Sequence, residues 1–344
     1  MPATTDLLQR PLRDLRISVT DRCNLRCPYC MPREVFGAGF RFMERSELLS
    51  FEEIVRVARA GVEHGVCKVR LTGGEPLLRR ELASLVALLA QVQGIEDIAL
   101  TTNGTTLAMH AQALADAGLD RVTISLDALD EKVFHSMSDS RFPIARVLAG
   151  IDAAHDAGLS PVKINMVVRR GVNDHCVLEM AEHFRGRSET LRFIEYMDVG
   201  ESNGWNVAEV VPASELIATI ESRWALERLA PHRAGEVATR WAYRDGAGEI
   251  GVIHSVSQPF CGGCTRARLS ADGTLYTCLF ASQGTELRAL LRGGADDAQL
   301  AQCLADVWRG RADRYSELRA LRQGEQQPRS HVRGHPGRIE MSYI

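Results

Sequence analysis

The sequence predicts an α/β fold built on a parallel sheet or barrel, and three observations lead to this prediction. Between about residues 12 and 200, short β-rich runs alternate with helical patterns at a spacing of roughly 25–50 residues, which is typical of repeated βαβ units. The helical segments are amphipathic, each with one apolar stripe. The strands place apolar side chains on one face and polar side chains on the other.

Six strands and four helices are predicted in this first part of the chain. The strands lie at 15–20, 67–73, 97–104, 121–127, 162–168 and 191–197. The helices lie at 50–65, 80–92, 142–158 and 176–186, and Ser50 forms a capping box with Glu53 at the start of the first helix.

The chain changes character after residue 200. We predict a helix near Pro212, hairpin-like strands within 236–257 and 267–280, and a helix around 296–310. The expected division is therefore a first domain at 1–200 and a C-terminal region at 201–321. Residues 322–344 are polar, basic and rich in Gly and Pro, and they are expected to form a flexible tail.

Cations lie on the polar face of the predicted strands. They are Arg16, Lys68, Arg70 and Lys163, whereas Leu15 and Ile17 lie on the apolar face. Parallel sheets are normally covered by apolar side chains on both faces, so a cationic interior calls for an anionic occupant. The alternative is that the charged heads reach water at the strand ends. Arg192 and Met197 differ in parity, so both face the interior only across a bulge or a strand end.

Composition is that of an ordinary globular protein. The 344 residues are 45% apolar and 25% charged, and the net charge of −3 does not favour nucleic acid or a membrane surface as a partner. No apolar run has the length of a signal-peptide core or a membrane span. Nine cysteines without a secretory signal favour metal or redox use over disulfides. We expect a cytoplasmic protein that binds neither nucleic acid nor a membrane.

Six of the cysteines form two triplets. The first is Cys23-x3-Cys27-x2-Cys30, directly after the first strand, and the second is Cys261-x2-Cys264-x13-Cys278. Structural zinc takes four ligands, and only His254 is a candidate to complete the second set. Three thiols would instead leave one iron of a 4Fe–4S cluster open for substrate or cofactor. Cys67, Cys176 and Cys303 are isolated in apolar patterns and are expected to be core residues.

The first triplet, followed by GGEP at 73–76 after the second strand, resembles the radical S-adenosylmethionine superfamily. The motifs KVRLTGGEPLLRR, LTTNG, VTISLDALD, RFIEYMDVG, NGWN, SVSQPFCGGCTRARLSADGTLYTCLF and DRYSELR occur in order between residues 12 and 320. Together they resemble the GTP 3′,8-cyclase family of molybdenum cofactor biosynthesis. The resemblance implies an incomplete (β/α)6 TIM-like barrel with a C-terminal α+β region that closes the barrel mouth.

The resemblance also implies the ligands. Cys23, Cys27 and Cys30 would hold an N-terminal 4Fe–4S cluster, and Cys261, Cys264 and Cys278 a C-terminal one. Positions that match S-adenosylmethionine contacts are Tyr29, Gly74, Ser125 and Met197. Positions that match GTP contacts are Arg16, Lys68, Arg70, Thr101, Lys163, Arg192, Arg266 and Arg268. Arg266 and Arg268 lie two apart on a predicted strand and so share a face; taken alone, TRAR equally fits a solvated edge strand.

The reaction that the resemblance implies begins with reductive cleavage of S-adenosylmethionine to a 5′-deoxyadenosyl radical. This radical takes the 3′ hydrogen of GTP, and C3′ then attacks C8 of guanine to give 3′,8-cyclo-7,8-dihydro-GTP. The implied partners are an electron donor, the downstream cyclic pyranopterin monophosphate synthase and a second copy in a homodimer. No classical acid–base pair is required.

Two alternatives and one departure from the family pattern accompany this interpretation. The alternatives are a radical peptide-modifying maturase with an auxiliary cluster and a non-catalytic, zinc-stabilised module that binds a nucleotide or RNA. Family members typically end in two glycines that reach into the active site, whereas this sequence ends in EMSYI. If that tail is absent, we expect turnover after hydrogen abstraction to suffer while cluster and GTP binding survive.

Overall fold

A computed structural model describes residues 3–199, 204–232 and 235–322. A single mixed sheet organises these residues, with strand order β12-β11-β10-β1-β2-β3-β4-β5-β6-β9-β8-β7. The strands are β1 (Asp14–Ser18), β2 (Lys68–Thr72), β3 (Asp97–Thr102), β4 (Arg121–Ser125), β5 (Lys163–Val168), β6 (Thr190–Glu195), β7 (Leu226–Arg228), β8 (Thr239–Tyr243), β9 (Glu249–Ile253), β10 (Arg266–Leu269), β11 (Thr274–Tyr276) and β12 (Thr285–Glu286).

The helices follow the strands as in repeated βαβ units. They are α1 (Phe51–Glu63), α2 (Leu82–Ala90), α3 (Ala111–Asp116), α4 (Glu131–Ser138), α5 (Ala145–Asp156), α6 (Val177–Phe184), α7 (Ala213–Glu221), α8 (Arg288–Arg292), α9 (Asp297–Arg309) and α10 (Tyr315–Arg322). The predicted capping box is present, since the Ser50 side chain accepts from the Glu53 amide and the Glu53 side chain accepts from the Ser50 amide. The short helices α3 and α4 were not predicted. None of the helices in the described ranges is long and apolar enough to cross a bilayer.

The α/β class and the six parallel strands β1 to β6 are confirmed. The C-terminal region adds a parallel strand at each end of this set, because β10 pairs with β1 and β9 pairs with β6. Antiparallel hairpins then extend both edges through β11–β12 and β8–β7. Leu279 and Phe280 share an apolar cluster with Met31 and Phe36 of the first cysteine loop. The C-terminal region therefore contacts the mouth of the barrel, and closure of that mouth stays a prediction, as do the domain boundaries.

The two faces of the strands differ as predicted. Leu15, Ile17, Val69 and Leu71 are completely buried, or nearly so, in one core with the apolar stripes of the helices. Cys176 lies in that core and Cys303 packs against it, whereas Cys67 is half-buried. Residues 323–344, which hold nearly all of the expected tail and the chain end without two glycines, lie outside the described residues.

Glu195, at the end of β6, joins the first part of the chain to the C-terminal region. Its completely buried carboxylate accepts hydrogen bonds from the amide of Ala213 at 2.7 Å and from the amides of Val256 and Ser257 at 2.7 and 2.8 Å. The Ser257 hydroxyl donates a further bond at 2.5 Å. One side chain thus satisfies donors from the start of α7 and from the loop that leads to the second cysteine triplet.

We expect Glu195→Ala to lower the free energy of unfolding by about 1–3 kcal/mol, because it leaves the buried Ala213 amide without its acceptor, whereas water can reach the donors of Val256 and Ser257. Urea unfolding of the purified chain measures this change. Glu227→Ala removes an exposed carboxylate from β7 and serves as the control, with an expected change within about 0.5 kcal/mol. Equal urea midpoints of unfolding for Glu195→Ala and Glu227→Ala would show that Glu195 does not stabilise the contact between the two parts of the chain.

Candidate active site

Two pockets lie on the polar face of the sheet and share part of their walls. The N-terminal pocket is bordered by the first cysteine triplet, and the C-terminal pocket by the second triplet. Thr101, Asn165 and Ile194 line both pockets. Both pockets open to solvent, and the space within their walls, counted with the solvent at the openings, is about 820 and 1010 Å³. Two ligands bound in these pockets would therefore meet at the shared wall.

The sheet register places the two cysteine triplets at opposite ends of the parallel strands. Cys23 follows the C-terminal end of β1, whereas Cys264 precedes β10, whose first residue, Arg266, aligns with Asp14 at the start of β1. Because β1 and β10 are parallel, one triplet lies beyond the ends of the strands and the other lies before their beginnings. The cationic face of the strands lies between them.

The GGEP turn holds the first cysteine loop. The Gly74 amide donates to the Thr20 carbonyl and the Glu75 amide donates to the Arg22 carbonyl, both at 2.8 Å. A Cβ at Gly74 would lie 2.3 Å from the Arg22 carbonyl oxygen, so only glycine permits this approach. The turn thus fixes the backbone immediately before Cys23.

Two buried carboxylates support the N-terminal pocket. Glu75 accepts from the Thr102 hydroxyl at 2.7 Å and from the Asn103 amide at 2.7 Å, and burial raises its pKa to about 7. Asp127 accepts from the Tyr29 hydroxyl at 2.7 Å and from the Val167 amide at 2.9 Å, and burial raises its pKa to about 6. The Tyr29 ring is thereby fixed between Cys27 and Cys30.

Both triplets fit an iron–sulfur cluster better than a single zinc ion. Within the described ranges, no three His, Cys, Asp or Glu side chains converge closely enough to hold one metal ion. His254, the candidate for a fourth zinc ligand, is not among the described residues that line the C-terminal pocket. In a 4Fe–4S cluster each thiolate binds a different iron, so the thiolates are spaced around the cluster and do not converge on one metal ion. Three thiols bordering each pocket match that requirement.

The C-terminal pocket is strongly cationic. Its wall holds one carboxylate, that of Asp313, and six arginines, which are Arg16, Arg70, Arg192, Arg266, Arg268 and Arg311. Burial and the charge of Arg266 lower the pKa of Arg16, and burial with Arg70 lowers that of Arg192 to about 9. Burial alone would raise the pKa of the Cys264 thiol, but Arg266, Arg268 and Arg311 lower it to about 6. The pocket is therefore suited to a polyanion beside thiolate ligands.

Curated relatives match nearly the whole chain. It is 56% identical over 354 residues to the GTP 3′,8-cyclase of Acidothermus cellulolyticus, with 98% of each chain covered. It is 46% identical over 340 residues to that of Staphylococcus aureus, again with 98% of each covered. The chain belongs to the GTP 3′,8-cyclase family. A third relative of this name, from Xanthomonas axonopodis pv. citri, is 55% identical over 315 residues, with 92% of this chain and 93% of that one covered.

Two family profiles divide the chain in the same order. The Radical SAM superfamily matches residues 17–184, and Molybdenum Cofactor Synthesis C matches residues 189–317. Among solved structures, Streptococcus suis SuiB bound to S-adenosylmethionine aligns with a TM-score of 0.59 at 16% identity, over 87% of this chain and 68% of that one. Native anSMEcpe with bound AdoMet aligns with a TM-score of 0.53 at 17% identity, over 79% of this chain and 76% of that one. At these identities the structures show a shared fold alone.

Most of the site residues expected of a GTP 3′,8-cyclase line the two pockets. Tyr29, Gly74 and Ser125 line the N-terminal pocket, whereas Met197 lies in the wall of the C-terminal one. Met197 reaches the interior because β6 ends at Glu195, so the strand end accounts for its change of parity relative to Arg192. Six of the expected GTP contacts line the C-terminal pocket, namely Arg16, Arg70, Thr101, Arg192, Arg266 and Arg268.

Lys68 and Lys163 are not part of either wall as lined by the described residues. The Lys68 ammonium lies 3.1 Å from the Asp97 carboxylate. Lys163 stands in register with Thr123, which lines the C-terminal pocket. Burial and the charge of Arg192 lower the pKa of Lys163 to about 7. Lys163 is thus a buried amine at the border of a cationic pocket.

Several residues of the site were missed from the sequence. Thr123 accepts a hydrogen bond from Arg70 at 3.2 Å and lines the C-terminal pocket, and its place on the polar face could have indicated it. Asn165 is buried between the pockets and its Oδ1 has no hydrogen-bond partner among the described residues. Asp127 and Asn165 also lie in the pocket walls, and the alternation of the strands places them on the polar face. Arg311 follows a surface helix and carried no signal in the sequence.

We expect Lys163→Met to stabilise the chain without ligand by about 2 kcal/mol at pH 7, because it removes a buried amine from a cationic surrounding. The folded-state pKa, about 7, lies below the usual 10.5, so the unfolded chain binds more protons between these values and stability falls as pH falls through this window. In the variant, the free energy of unfolding should no longer depend on pH in this way. Urea unfolding at several pH values between 7 and 10 measures this dependence.

The same variant should bind inorganic triphosphate more weakly, because the bound anion favours the charged amine. Lys132→Met, at an exposed position, is the control and should change neither property. A Lys163→Met variant that is less stable at pH 7, with an unchanged pH slope, would contradict the buried-amine assignment.

Proposed function

We propose that this chain is a radical S-adenosylmethionine enzyme that cyclises GTP to 3′,8-cyclo-7,8-dihydro-GTP, the first step of molybdenum cofactor biosynthesis. The observation that carries the proposal is the arginine-lined C-terminal pocket, which joins the pocket of the first cysteine triplet at a shared wall. The names of the full-length relatives support the same assignment. They favour it over a peptide-modifying maturase, and the ligand geometry argues against a zinc-stabilised binding module.

The first triplet would hold one 4Fe–4S cluster and the second triplet another. With S-adenosylmethionine bound, the first cluster would supply the one-electron chemistry that starts hydrogen abstraction from the GTP ribose. Tyr29, Gly74, Ser125 and Met197 are the residues that we assign to S-adenosylmethionine. Because the Asp127 carboxylate accepts a hydrogen bond from the Tyr29 hydroxyl, the ring is held in the wall of the pocket where the cofactor would bind.

The protein's task on the GTP side is to bind and orient a tetra-anionic substrate. Arg16, Arg70, Arg192, Arg266 and Arg268, together with Lys68 and Lys163, supply the cations, and Thr101 fixes Arg70 by accepting a hydrogen bond at 3.0 Å. Guanidinium groups bind phosphate and purine acceptors through two parallel bonds, which sets orientation as well as affinity. The ribose would then lie at the wall shared with the cofactor pocket, where the reacting carbon must be.

The finer assignments complete the proposal. We place the catalytic barrel at residues 1–200 and the GTP-side cluster in residues 201–321. The enzyme would act in the cytoplasm, receive electrons from a protein donor and deliver its product to cyclic pyranopterin monophosphate synthase, and it would form a homodimer.

Anaerobic reconstitution followed by product analysis tests the proposed function. Two 4Fe–4S clusters require about eight irons and eight sulfides per chain. The reduced enzyme, incubated with GTP and S-adenosylmethionine, should yield 5′-deoxyadenosine and a cyclised GTP product in equal amounts. With GTP deuterated at C3′, release of 5′-deoxyadenosine that carries no deuterium, together with no cyclised product, would show that GTP is not the substrate.

We expect Arg266→Ala to weaken GTP binding by roughly tenfold or more, because a buried charge-assisted contact is lost. Its Nε is buried without a partner in the described residues, which leaves it available to a ligand. Cleavage of S-adenosylmethionine, uncoupled from GTP, should persist. Isothermal titration and 5′-deoxyadenosine release measure the two effects, with the exposed Arg223→Ala as control. Loss of both activities together would assign Arg266 a folding role.

A further inference from the structure

Two buried arginines from opposite ends of the chain meet behind the second cysteine triplet. Arg10 belongs to an N-terminal turn that is closed by a bridge between Thr5 and Pro11, and Arg311 follows α9. Their exposed fractions are 2% and 4%, and that of Asp6 is 3%. The Asp6 Oδ2 atom lies 2.6 Å from Arg10 Nε and 3.0 Å from Arg311 Nη1. We call these three residues the arginine clamp.

Both arginines of the clamp also donate to the backbone around the cysteines, and Arg10 Nη1 donates in addition to the Asp313 carbonyl at 2.8 Å. Arg10 Nη1 donates to the Cys261 carbonyl at 2.9 Å, and Arg311 Nη1 donates to the Cys264 carbonyl at 2.8 Å. Arg311 Nε donates to the carbonyl of Thr277 at 3.0 Å. Thr277 directly precedes Cys278, so each of the three cysteines is held at its own carbonyl or at the one before it.

The clamp is itself held rigidly. The Asp6 Oδ1 atom accepts from the amides of Leu8 and Arg10, both at 2.9 Å. The Arg311 guanidinium lies 4.5 Å from the centre of the Trp308 ring, and the Trp308 indole donates to the Arg10 carbonyl at 3.0 Å. A buried arginine with fixed partners positions its acceptors far better than a solvated one does, because its side chain has no alternative rotamer that keeps these bonds.

We propose that the arginine clamp of Asp6, Arg10 and Arg311 is a positioning unit that sets the thiol geometry and the reduction potential of the cluster at the second triplet. This inference rests on the proposed function, since it presupposes that cluster. None of the three is assigned to hold the cluster, but Arg311 lines the same pocket as the thiols and therefore adds its charge to their surroundings. Outer-shell groups of this kind orient metal ligands and tune the bound group.

The test uses the full chain with both clusters reconstituted anaerobically. Arg10→Ala and Arg311→Ala should each lose about half of the iron and sulfide, roughly four of eight atoms, because only the second cluster is affected. They should keep the electron paramagnetic resonance signal of the first cluster and its cleavage of S-adenosylmethionine. Loss of iron from both clusters equally would overturn the proposal, since it would indicate a general folding defect.

Conservative variants separate positioning from stability. Arg311→Lys and Arg10→Lys keep the charge but cannot serve two acceptors in the same plane, so they should keep the iron and change the spectrum of the second cluster. Arg311→Gln removes a positive charge, so the midpoint potential of that cluster should become more negative. Asp6→Asn should change the spectrum in the direction of the lysine variants, because it weakens the hold on both guanidinium groups.

Arg169→Lys is the matched control, because Arg169 is also paired, with Glu209 at 2.8 Å, but contacts neither triplet. It should lower thermal stability without changing iron content, spectrum or potential. The clamp proposal is overturned if the Arg10 and Arg311 variants lower only the melting temperature in the same way.

The outcomes also separate this proposal from the proposed function. A wild-type chain with two clusters that neither cyclises GTP nor takes its 3′ hydrogen would overturn the function alone, and the clamp would still be judged on iron content and spectrum. A wild-type chain that takes up only one cluster would overturn both.

Discussion

The structure depends on a sheet whose two faces have opposite physical character. Alternation along each parallel strand places leucine, isoleucine and valine against the helices and arginine, lysine and threonine in the interior. Burial of one large aliphatic side chain contributes about 1.5–3 kcal/mol, and dozens of them form a continuous core. That core stabilises strands whose other face gathers mutually repelling cations. The interior is thereby kept ready for an anion that the protein itself does not supply.

The sequence indicates this arrangement well where a local rule controls it. Parity along β1 and β2 predicts Arg16 and Arg70 in the interior, and cysteine spacing with the GGEP turn predicts the first loop. The partners of these strands follow no local rule, since β10 pairs with β1 across about 250 residues of chain. The clamp is similar, because Asp6 and Arg311 meet only after both ends of the chain have folded onto the sheet. The short helices α3 and α4 were missed because their apolar stripes are too brief for a periodic pattern.

Strand register determines where the two cysteine triplets lie. The first lies beyond the ends of the parallel strands and the second before their beginnings, with the cationic face between them. The walls of the two pockets meet at Thr101, Asn165 and Ile194. Placement of the reacting atoms is therefore a property of the sheet and not of a mobile loop.

The charges near the two triplets differ although their ligands are the same in type and number, since a carboxylate acts on Cys23 of the first and arginines act on Cys264 of the second. At the first triplet, burial and the charge of Glu75 raise the pKa of Cys23 to about 11. At the second, arginines lower that of Cys264 to about 6 in spite of burial. Cations stabilise added negative charge, whereas carboxylates oppose it, so an identical cluster would be reduced more easily at the second site. The carboxylate side suits a site that gives up an electron, and the arginine side suits one that binds an anion. The two triplets therefore differ in the charges that surround them as well as in their place along the strands.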